Sequence, residues 1–574
     1  MGIRRRALGP LGSSPFWGPQ FQDQPRGTKE RKNQMNPLIQ LKKSISLFLV
    51  TLCLGGVVLL PNAEALSPIP DGGYPGGNTA EGEGALFSLT TGVYNSAVGI
   101  YSLLSLRTGN FNTANGAGAL LDNAADENTA TGAGALLINS TGALNTADGA
   151  FALFSNASGA DNTAVGNRAL LSNVDGDSNS AVGSSALSSN QHADRNTAVG
   201  DGALLNNDSS GNATGTSNTA VGAGALLSNI DADQNTAVGS GALLNNDSSG
   251  NAAANNNTAV GAGALLSNFN GDQNTATGSG ALFNNTEGEG NTASGFIALL
   301  SNTSGGFNTG TGVEALLSNT IGAFNTATGG TALANNISGV GNTADGALAL
   351  QGNTTGNSNT GLGGSALQKN TTGSNNIALG VGAGSVLTTG DNNIEIGNPG
   401  VAGEANTVRI GQLQAMTFIA GIHGVTTGNA NAIPVLIDSA GQLGTANSSA
   451  RFKKEIKPMD RASEAILALK PVTFQYKNDK TSSPQFGLIA EEVAAVNPDL
   501  VVRDKNGEVY TVRYDAVNAM LLNEFLKQHR KSEEQEAIIA RQQKQIDTLA
   551  IKLQRVSAQL ELNRSAPSSI VNNQ

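Results

Sequence analysis

A repeat of almost constant length runs through most of the chain and limits what the chain can fold into. One unit reads NTAVGAGALLSN over residues 218–229 and is followed by a short polar turn. Successive units begin 17 residues apart at nearly every step, with one step of 16 residues and two of 22. Because disordered low-complexity sequence has no reason to keep a strict period, the spacing predicts a stack of equivalent coils. The first Asn of each unit stands at Asn95, Asn112, Asn128, Asn145, Asn162, Asn179, Asn196, Asn218, Asn235, Asn257, Asn274, Asn291, Asn308, Asn325, Asn342 and Asn359, and less regular units begin at Asn376 and Asn393.

Each unit contains two short apolar pieces, Thr-Ala-Val and Ala-Leu-Leu, and both are predicted to be strand-like. The Gly residues between them permit turns with positive φ. Stacking the units would align their Ala, Val and Leu side chains into one core, and the recurring Asn is expected to form a ladder of amide hydrogen bonds. The two 22-residue steps each contain NNDSSGN, at 206–212 and 245–251. We expect these insertions to bulge outward without breaking the stack.

The fold class predicted for the chain is therefore mainly β, a stacked β-roll or solenoid of 17-residue repeats. Such a core, made mostly of Ala with some Leu, is thin and would leave apolar strips exposed on a single chain. Three identical chains could cover these strips, so a homotrimer is expected. The N-T/S-A-V-G pattern of the repeats resembles the head repeats of trimeric autotransporter adhesins, and this resemblance implies a trimeric β-roll.

Composition and charge exclude several functions for the repeats. Acidic residues greatly outnumber basic ones between residues 88 and 447, so nucleic acid is not an expected partner. The only cysteine is Cys53, and the three histidines, His192, His423 and His529, are far apart and lack metal-ligand spacing. No cofactor or metal is expected. The acids of the repeats stand in turns and are interpreted as turn formers, for example Asp175, Asp177, Asp231, Asp233 and Asp272.

The N-terminal region carries an export signal. Lys42 and Lys43 precede an apolar run over 45–60, and a small-residue cleavage motif ends at Ala65. Residues 35–65 are therefore predicted to be a signal peptide, which would leave no stable membrane span in the mature protein. Residues 1–34 are interpreted as a non-structural extension upstream of a start at Met35. These features predict a secreted or bacterial cell-surface protein.

The composition changes abruptly near residue 450, where Lys, Arg and Glu appear together. Alternation predicts strands at 472–476 and 509–514, a strand turning into a helix over 486–493, and a helix at 461–469. Upstream, strands are expected at 407–411 and 417–422, and a hairpin over 434–444. A long helix is predicted from about Asp515, with an apolar heptad seam typical of a parallel coiled coil. The seam consists of Ile539, Ile546, Leu549, Leu553, Val556 and Leu560, with Gln542 at one position.

Several ordered motifs make this region similar to the intramolecular chaperone domain of phage endosialidase tailspikes and other tail fibres. The same module occurs in membrane-tethered transcription factors of the myelin regulatory type. The matching motifs are the Ser448-x-x-Arg451-x-Lys453 start, the Pro471-Val472-Thr473-Phe474 strand, the segment Gly487-Leu488-Ile489-Ala490-Glu491-Glu492-Val493, and Tyr514 before the coiled coil. The sequence departs from the family at Ser449, where Asp is frequent, and at Glu491, where Gln is common.

The resemblance implies a domain that trimerises, guides the folding of the upstream fibre and then cleaves itself off. Mapped by motif, Ser448 is the nucleophile, Lys453 is the general base and Asn447–Ser448 is the bond that breaks. A serine hydroxyl needs a base to become a good nucleophile, and a lysine amine can serve when burial or neighbouring cations lower its pKa. Arg451 and Lys454 are candidates for that influence. This single-turnover Ser-Lys peptidase is the only enzymatic activity expected.

The sequence thus predicts an exported trimeric fibre with a self-cleaving C-terminal chaperone. One alternative is a surface adhesin whose trimerisation domain is never cut, and another is a phage-like receptor-binding fibre with glycan-hydrolase activity. A cell-surface or glycan receptor is a possible partner besides the chain itself. The predicted segments are an extension at 1–34, the signal peptide at 35–65, a linker at 66–87, the repeats at 88–397, a β connector at 398–447, the chaperone domain at 448–516, the coiled coil at 517–563 and a disordered tail at 564–574.

Overall fold

The computed structural model describes residues 74–423, 425–429, 431–438, 440–504 and 506–564. The chain divides into two units, and the boundary falls between Met416 and Thr417. The predicted extension at 1–34 and the predicted signal peptide at 35–65 lie outside the described residues, as does the predicted tail beyond Arg564. In the part of the chain that the structure describes, no helix is long and apolar enough to cross a membrane.

The first unit is a parallel β-solenoid with one three-residue strand per coil. Each strand pairs in register with the next strand along the chain, so that Thr236, for example, lies beside Thr258. One 17-residue repeat therefore forms one coil of the solenoid, as the repeat spacing predicts. The strands are β1 Thr79–Glu81, β2 Ser96–Val98, β3 Thr113–Asn115, β4 Thr129–Thr131, β5 Thr146–Asp148, β6 Thr163–Val165, β7 Ser180–Val182, β8 Thr197–Val199, β9 Thr219–Val221, β10 Thr236–Val238, β11 Thr258–Val260, β12 Thr275–Thr277, β13 Thr292–Ser294, β14 Thr309–Thr311, β15 Thr326–Thr328, β16 Thr343–Asp345, β17 Thr360–Leu362, β18 Ile377–Leu379, β19 Ile394–Ile396 and β20 Val408–Ile410.

Alternation along each strand decides which side chains enter the core. The middle residue points inward and is Ala or Gly in every strand from β1 to β18, while the first and third residues face outward. In the unit at 218–229, the buried apolar side chains are Ala220, Ala225 and Leu226. A single chain thus buries the Ala and Leu side chains of the core without a partner chain. Apolar side chains that stay exposed lie on the outer face, among them the column of third-position residues such as Val221 and Val238 and turn residues such as Phe307.

The prediction that Ala-Leu-Leu forms a second strand is wrong. These residues lie in turns, and Leu226 adopts a φ of +51°, in the left-handed region. The Leu226 amide still donates to the Ala242 carbonyl of the next coil, at 3.0 Å. The turn directs Leu226 into the core, whereas an extended trio would point successive side chains to opposite faces.

Two asparagine ladders run along the solenoid, of which the sequence predicted one. In the predicted ladder, the Asn325 backbone amide donates to Asn308 Oδ1 at 3.0 Å, and Asn325 Nδ2 donates to the Gly339 carbonyl at 2.8 Å. The second ladder uses the Asn that ends each unit, so that Asn319 Nδ2 donates to Asn302 Oδ1 at 2.8 Å. Both ladders are buried, and the first runs from Asn78 to Asn393 while the second runs from Asn123 to Asn370.

The solenoid extends beyond the predicted repeat boundaries at both ends. Strand β1 falls inside the segment interpreted as a linker, and β20, within the connector, confirms the strand predicted at 407–411. The strand predicted at 417–422 is not formed, because no other described strand pairs with that segment. The hairpin predicted over 434–444 is confirmed by β21 Leu436–Ile437, which pairs in antiparallel fashion with β22 Leu443–Gly444.

The second unit contains a small α+β domain, as the alternation and helical patterns predicted. Its core consists of Val493, Leu500, Val501, Val512 and Met520. Two antiparallel hairpins and several short helices surround that core. These elements are 3-10 helices at Ala450–Phe452, Asp460–Ala468 and Pro498–Leu500, strands β23 Val472–Phe474, β24 Gln485–Gly487, β25 Val501–Arg503 and β26 Val509–Val512, and helix α1 Ala490–Val496.

A long helix, α2 Tyr514–Arg564, completes the second unit and confirms the helix predicted from Asp515. Its N-terminal part packs on the domain through Met520. Each of the six apolar residues of the predicted heptad seam, from Ile539 to Leu560, is more than half exposed in the single chain. The helix is confirmed, and its association into a coiled coil stays a prediction.

Candidate functional site

The predicted nucleophile and base lie beside each other at the start of the α+β domain. The 3-10 helix Ala450–Phe452 makes a single turn between them, flanked by extended backbone at Ser449 and Lys453. This turn brings Lys453 back onto Ser448, and Lys453 Nζ donates to Ser448 Oγ at 3.3 Å. The distance is just beyond the about 2.6–3.2 Å at which a base takes a proton, so a neutral amine would need to move only slightly closer to accept the hydroxyl proton.

The surroundings of this pair are open to solvent in the single chain. Ser448 and Lys453 are both exposed, and so is the neighbouring Asn447. The Arg451 guanidinium lies 4.7 Å from the ring centre of Phe452, over its face. Exposed apolar side chains at Phe452 and Ile456 lie next to the pair in the sequence. A further surface packed on this region would therefore remove water from both reacting groups.

The other motifs of the region form one structural module. The strand containing Val472 and Phe474 pairs with the strand that ends at Gly487, which leads into helix α1. The Leu488 amide donates to the Tyr514 hydroxyl at 3.1 Å. A Cβ atom at Gly487 would lie 2.7 Å from that hydroxyl oxygen, which explains why glycine stands there. Gly487 and Tyr514 thus join the hairpin to the start of the long helix.

Sequence reasoning missed a second serine–lysine pair, at Ser463 and Lys527. The Ser463 side chain is fully buried, and its hydroxyl donates to Glu524 Oε1 at 2.5 Å. It accepts from Asn523 Nδ2 at 2.7 Å and from Lys527 Nζ at 3.2 Å. Lys527 also lies 2.6 Å from Glu524 Oε1, and the pKa of Glu524 is lowered, first by this hydrogen bond and then by the bond from Ser463. Because all these polar groups are paired and Ser463 is closed to solvent, the network joins the 3-10 helix Asp460–Ala468 to the long helix. No signal in the sequence relates residues so far apart.

Acidic side chains in the turns of the solenoid make hydrogen bonds that connect neighbouring coils. Asp177 Oδ1 accepts from the Ala160 amide at 2.7 Å, and Asp272 Oδ1 accepts from the Asn255 amide at 2.7 Å, each across neighbouring coils. Asp175 lies 2.5 Å from His192 Nδ1. This agrees with their interpretation as turn formers. Among the described residues, no group of three or more His, Cys, Asp or Glu is placed to hold a metal ion.

The two insertions bury acidic side chains that the sequence did not single out. Asp208 and Asp247 belong to the two NNDSSGN segments, and burial raises the pKa of both carboxyls. Asp208 Oδ2 accepts from the His192 amide at 2.7 Å, and Asp247 Oδ2 accepts from the Asp231 amide at 3.1 Å. Asp231 in turn accepts hydrogen bonds from Ser210 of the first insertion and from Thr214 just after it. The insertions therefore fold onto the neighbouring coil.

Comparison with known proteins identifies one region of the chain. Neither a curated protein nor a solved structure matches the chain. Residues 448–502 match the family model described as chaperone of endosialidase. The matched segment begins at Ser448 and includes Lys453, both β23–β24 strands and helix α1. The chain therefore carries a chaperone-of-endosialidase domain directly after its β-solenoid and connector.

Proposed function

We propose that this protein is an exported homotrimeric fibre whose C-terminal domain assembles the trimer and then cleaves itself off at Asn447–Ser448. The observation that carries the cleavage is the 3.3 Å contact between Lys453 Nζ and Ser448 Oγ at the first residue of the matched domain. The family description supports the chaperone role. The body that such a chaperone would assemble is the solenoid of twenty parallel strands.

The exposed seam of the long helix supports association of several copies. A single helix does not leave a heptad of large aliphatic residues in water without cost, and packing identical seams against each other removes that cost. Polar Gln542 interrupts the seam at one position, which would fix the register between helices. Parallel packing would hold three copies of the α+β domain at the same level. That arrangement brings the three Ser448–Lys453 pairs close to neighbouring copies.

The proposed cleavage is an acyl shift followed by hydrolysis. Lys453 takes the proton of the Ser448 hydroxyl, and Oγ attacks the carbonyl carbon of Asn447. The bond from that carbon to the Ser448 nitrogen breaks, and the nitrogen takes its proton from Lys453. Asn447 is then held as an ester on Ser448 Oγ. Water cleaves the ester, which leaves a carboxylate on Asn447 and a free amine on Ser448. The reaction needs no substrate pocket, because nucleophile and scissile bond belong to adjacent atoms of one chain.

Two alternative functions differ in measurable ways. A surface adhesin with a permanent trimerisation domain would share the trimer and lack the cleavage. A phage-like fibre that hydrolyses glycans would release sugar from a glycan substrate. The hydrogen-bonded turn acids of the solenoid favour neither a glycosidase pair nor a metal site. Export rests on the sequence pattern at 35–65, which also favours display at a bacterial surface or release from the cell.

The test is the intact mass of the full chain under denaturing conditions, beside Ser448→Ala and Lys453→Ala variants. Two fragments that meet at Asn447–Ser448 in the parent, with both variants uncut, are the expected result. Light scattering of the same samples before denaturation gives the number of chains. An uncut parent that is demonstrably trimeric would leave the adhesin alternative. A monomeric parent would contradict the assembly role as well.

A further inference from the structure

The last three strands of the solenoid carry a continuous apolar outer face. We propose that this face, here called the apolar end face, is where copies of this chain pack against one another at the C-terminal end of the fibre. The inference rests on the proposed homotrimer and specifies where its solenoids touch. The apolar end face consists of the outward residues of β18, β19 and β20, namely Ile377, Leu379, Ile394, Ile396, Val408 and Ile410.

The composition of this face differs sharply from that of the rest of the solenoid. The first strand position is Thr or Ser in every strand from β1 to β17, and then becomes Ile377, Ile394 and Val408. The third position is also a large aliphatic residue in these three strands. Val408 and Ile410 are 62% and 68% exposed, so the single chain leaves this face in water. In-register pairing aligns the six side chains in two adjacent columns, and a contiguous exposed apolar patch of this kind marks an interaction surface.

Two features of this chain point to other copies as the occupant. The first is the exposed heptad seam of the long helix, which favours parallel association, and parallel copies present the same coils at the same level. The apolar end face lies on the coils nearest in sequence to that helix. The second is the proposed cleavage at Asn447–Ser448, which separates the helix from the solenoid. The end face precedes the cleaved bond, so it would continue to hold the solenoids together afterwards.

The first variant restores the residue that the upstream repeats have. The triple substitution Ile377→Thr, Ile394→Thr, Val408→Thr places Thr where it already stands in most other coils, so the solenoid is expected to fold. The control triple Val199→Thr, Val221→Thr, Val238→Thr makes a similar change in the exposed third-position column at mid-solenoid. Thr occurs naturally at that position too, for example at Thr277 and Thr311. Circular dichroism checks that both variants keep the β signal of the parent.

Association is measured on the full chain by sedimentation over a dilution series. We expect the end-face triple to raise the concentration of half-dissociation by ~10-fold or more, because three buried aliphatic contacts become polar, and the control triple to leave it near the parent value. Equal weakening by both triples would overturn the assignment to the end face. An unchanged value for the end-face triple would overturn it as well.

Proximity is measured separately by thiol cross-linking with a short bismaleimide in a Cys53→Ser background. Val408→Cys, on the apolar end face, is expected to give covalent dimers, because the one thiol of each chain can join only one other chain. Thr372→Cys, at an exposed turn of the adjoining coil, is expected to give none. A trimeric mass without cross-links at Val408→Cys would overturn the proposed interface and leave the proposed trimer standing. A monomeric mass would overturn both, and cross-links only to a foreign protein would assign the face to a different occupant.

Discussion

Glu395 and Arg409 lie opposite each other at the middle positions of β19 and β20, where the preceding strands have Ala or Gly. Glu395 is fully buried, and neither of its carboxyl oxygens has a hydrogen-bond partner. Arg409 instead makes a forked pair with Glu404, with Nε to Oε2 at 2.9 Å and Nη2 to Oε2 at 2.7 Å. The last coils of the solenoid are thus closed by charged residues rather than by the Ala and Leu core.

This arrangement predicts that the end of the solenoid loosens as the pH rises. Burial, and then the nearby Glu404 carboxylate, raise the pKa of Glu395 to about 7, from 4.5 in the unfolded chain. Because the folded state favours the protonated acid, the stability that Glu395 contributes is fully present below pH 4.5 and is lost as the pH rises through about 7. The full loss is on the order of 3 kcal/mol for such a shift. Glu395→Gln stays neutral, so we expect it to equal the parent at low pH and to exceed its stability above pH 7.

Hydrogen exchange of the β19 and β20 amides measures this effect locally. Parent and Glu395→Gln are compared at the same pH, once near pH 4 and once near pH 8, which cancels the pH dependence of exchange itself. We expect the amides of Glu395→Gln to exchange more slowly than those of the parent near pH 8, and at the same rate as those of the parent near pH 4. The same difference between the two proteins at both values would contradict the prediction.

Replacing Lys453 by Arg should abolish self-cleavage although it keeps the positive charge. A guanidinium cannot be deprotonated in proteins, so it cannot take the Ser448 proton. Loss of a general base costs typically about 100-fold or more in rate. Lys454→Arg is the matched control and should cleave like the parent, as the time course of fragment appearance on denaturing gels would show. A Lys453→Arg variant that cuts at the parental rate would exclude Lys453 as the base.

A single break in the predicted Asn ladder should destabilise the solenoid. Asn308→Ala removes the acceptor of the Asn325 amide and the donors to Asn291 Oδ1 and the Gly322 carbonyl. Asn291 Oδ1 still accepts from the backbone amide of residue 308, and the Gly322 carbonyl still accepts from Asn319 Nδ2. Only the buried Asn325 N–H is left without a partner, so a loss of about 1–3 kcal/mol is expected. Asn167→Ala, at an exposed position, should change the unfolding free energy by less than about 0.5 kcal/mol. Denaturant unfolding of both variants measures the contrast, and equal losses would refute it.

Two adjacent glycines should respond in opposite ways to substitution by alanine. Gly329 has a φ of +124°, and a Cβ atom there would lie 2.7 Å from the Gly346 carbonyl carbon in the next coil. Gly330 has no atom within 4 Å of its Cβ position. Gly329→Ala should therefore force coils apart and lower the melting temperature strongly, while Gly330→Ala should be tolerated. Thermal unfolding compares the two, and similar melting temperatures would show that the coils can separate without cost.

Much of the solenoid could be predicted because its period is explicit in the sequence. The Thr-Ala-Val strands and the ladder at the first Asn follow from spacing and alternation. The turn at Leu226 could not be predicted, because leucine rarely adopts positive φ and only the packing of neighbouring coils stabilises it there. The second ladder was missed because only the first Asn of each unit was expected to form a ladder, and no role was assigned to the Asn that ends the unit. Its end at Asn370, whose Oδ1 has no partner, follows from Leu387 standing one coil further on.

The candidate site likewise combines contacts that could be predicted from the sequence with contacts that could not. Ser448 and Lys453 are close in sequence and belong to one motif, so their proximity could be expected from the resemblance alone. Ser463 and Glu524 are separated by most of the domain, and only the folded chain brings their side chains together. The same holds for the contact of Leu488 with Tyr514. Local motifs are therefore visible in the sequence, while the polar contacts that fix the long helix to the domain are not.

One strand per repeat has a consequence for how this protein can change through time. Every coil meets its two neighbours through the same Asn, Ala and Gly positions, so a gene that gains or loses a whole repeat still encodes a closed stack. The length of the solenoid then depends on the number of repeats, which unequal recombination can raise or lower by one at a time. The two insertions at 206–212 and 245–251 show the other freedom, since one corner of a coil accepts new sequence while the strand register is kept. Length and surface decoration can vary independently of each other on such a scaffold.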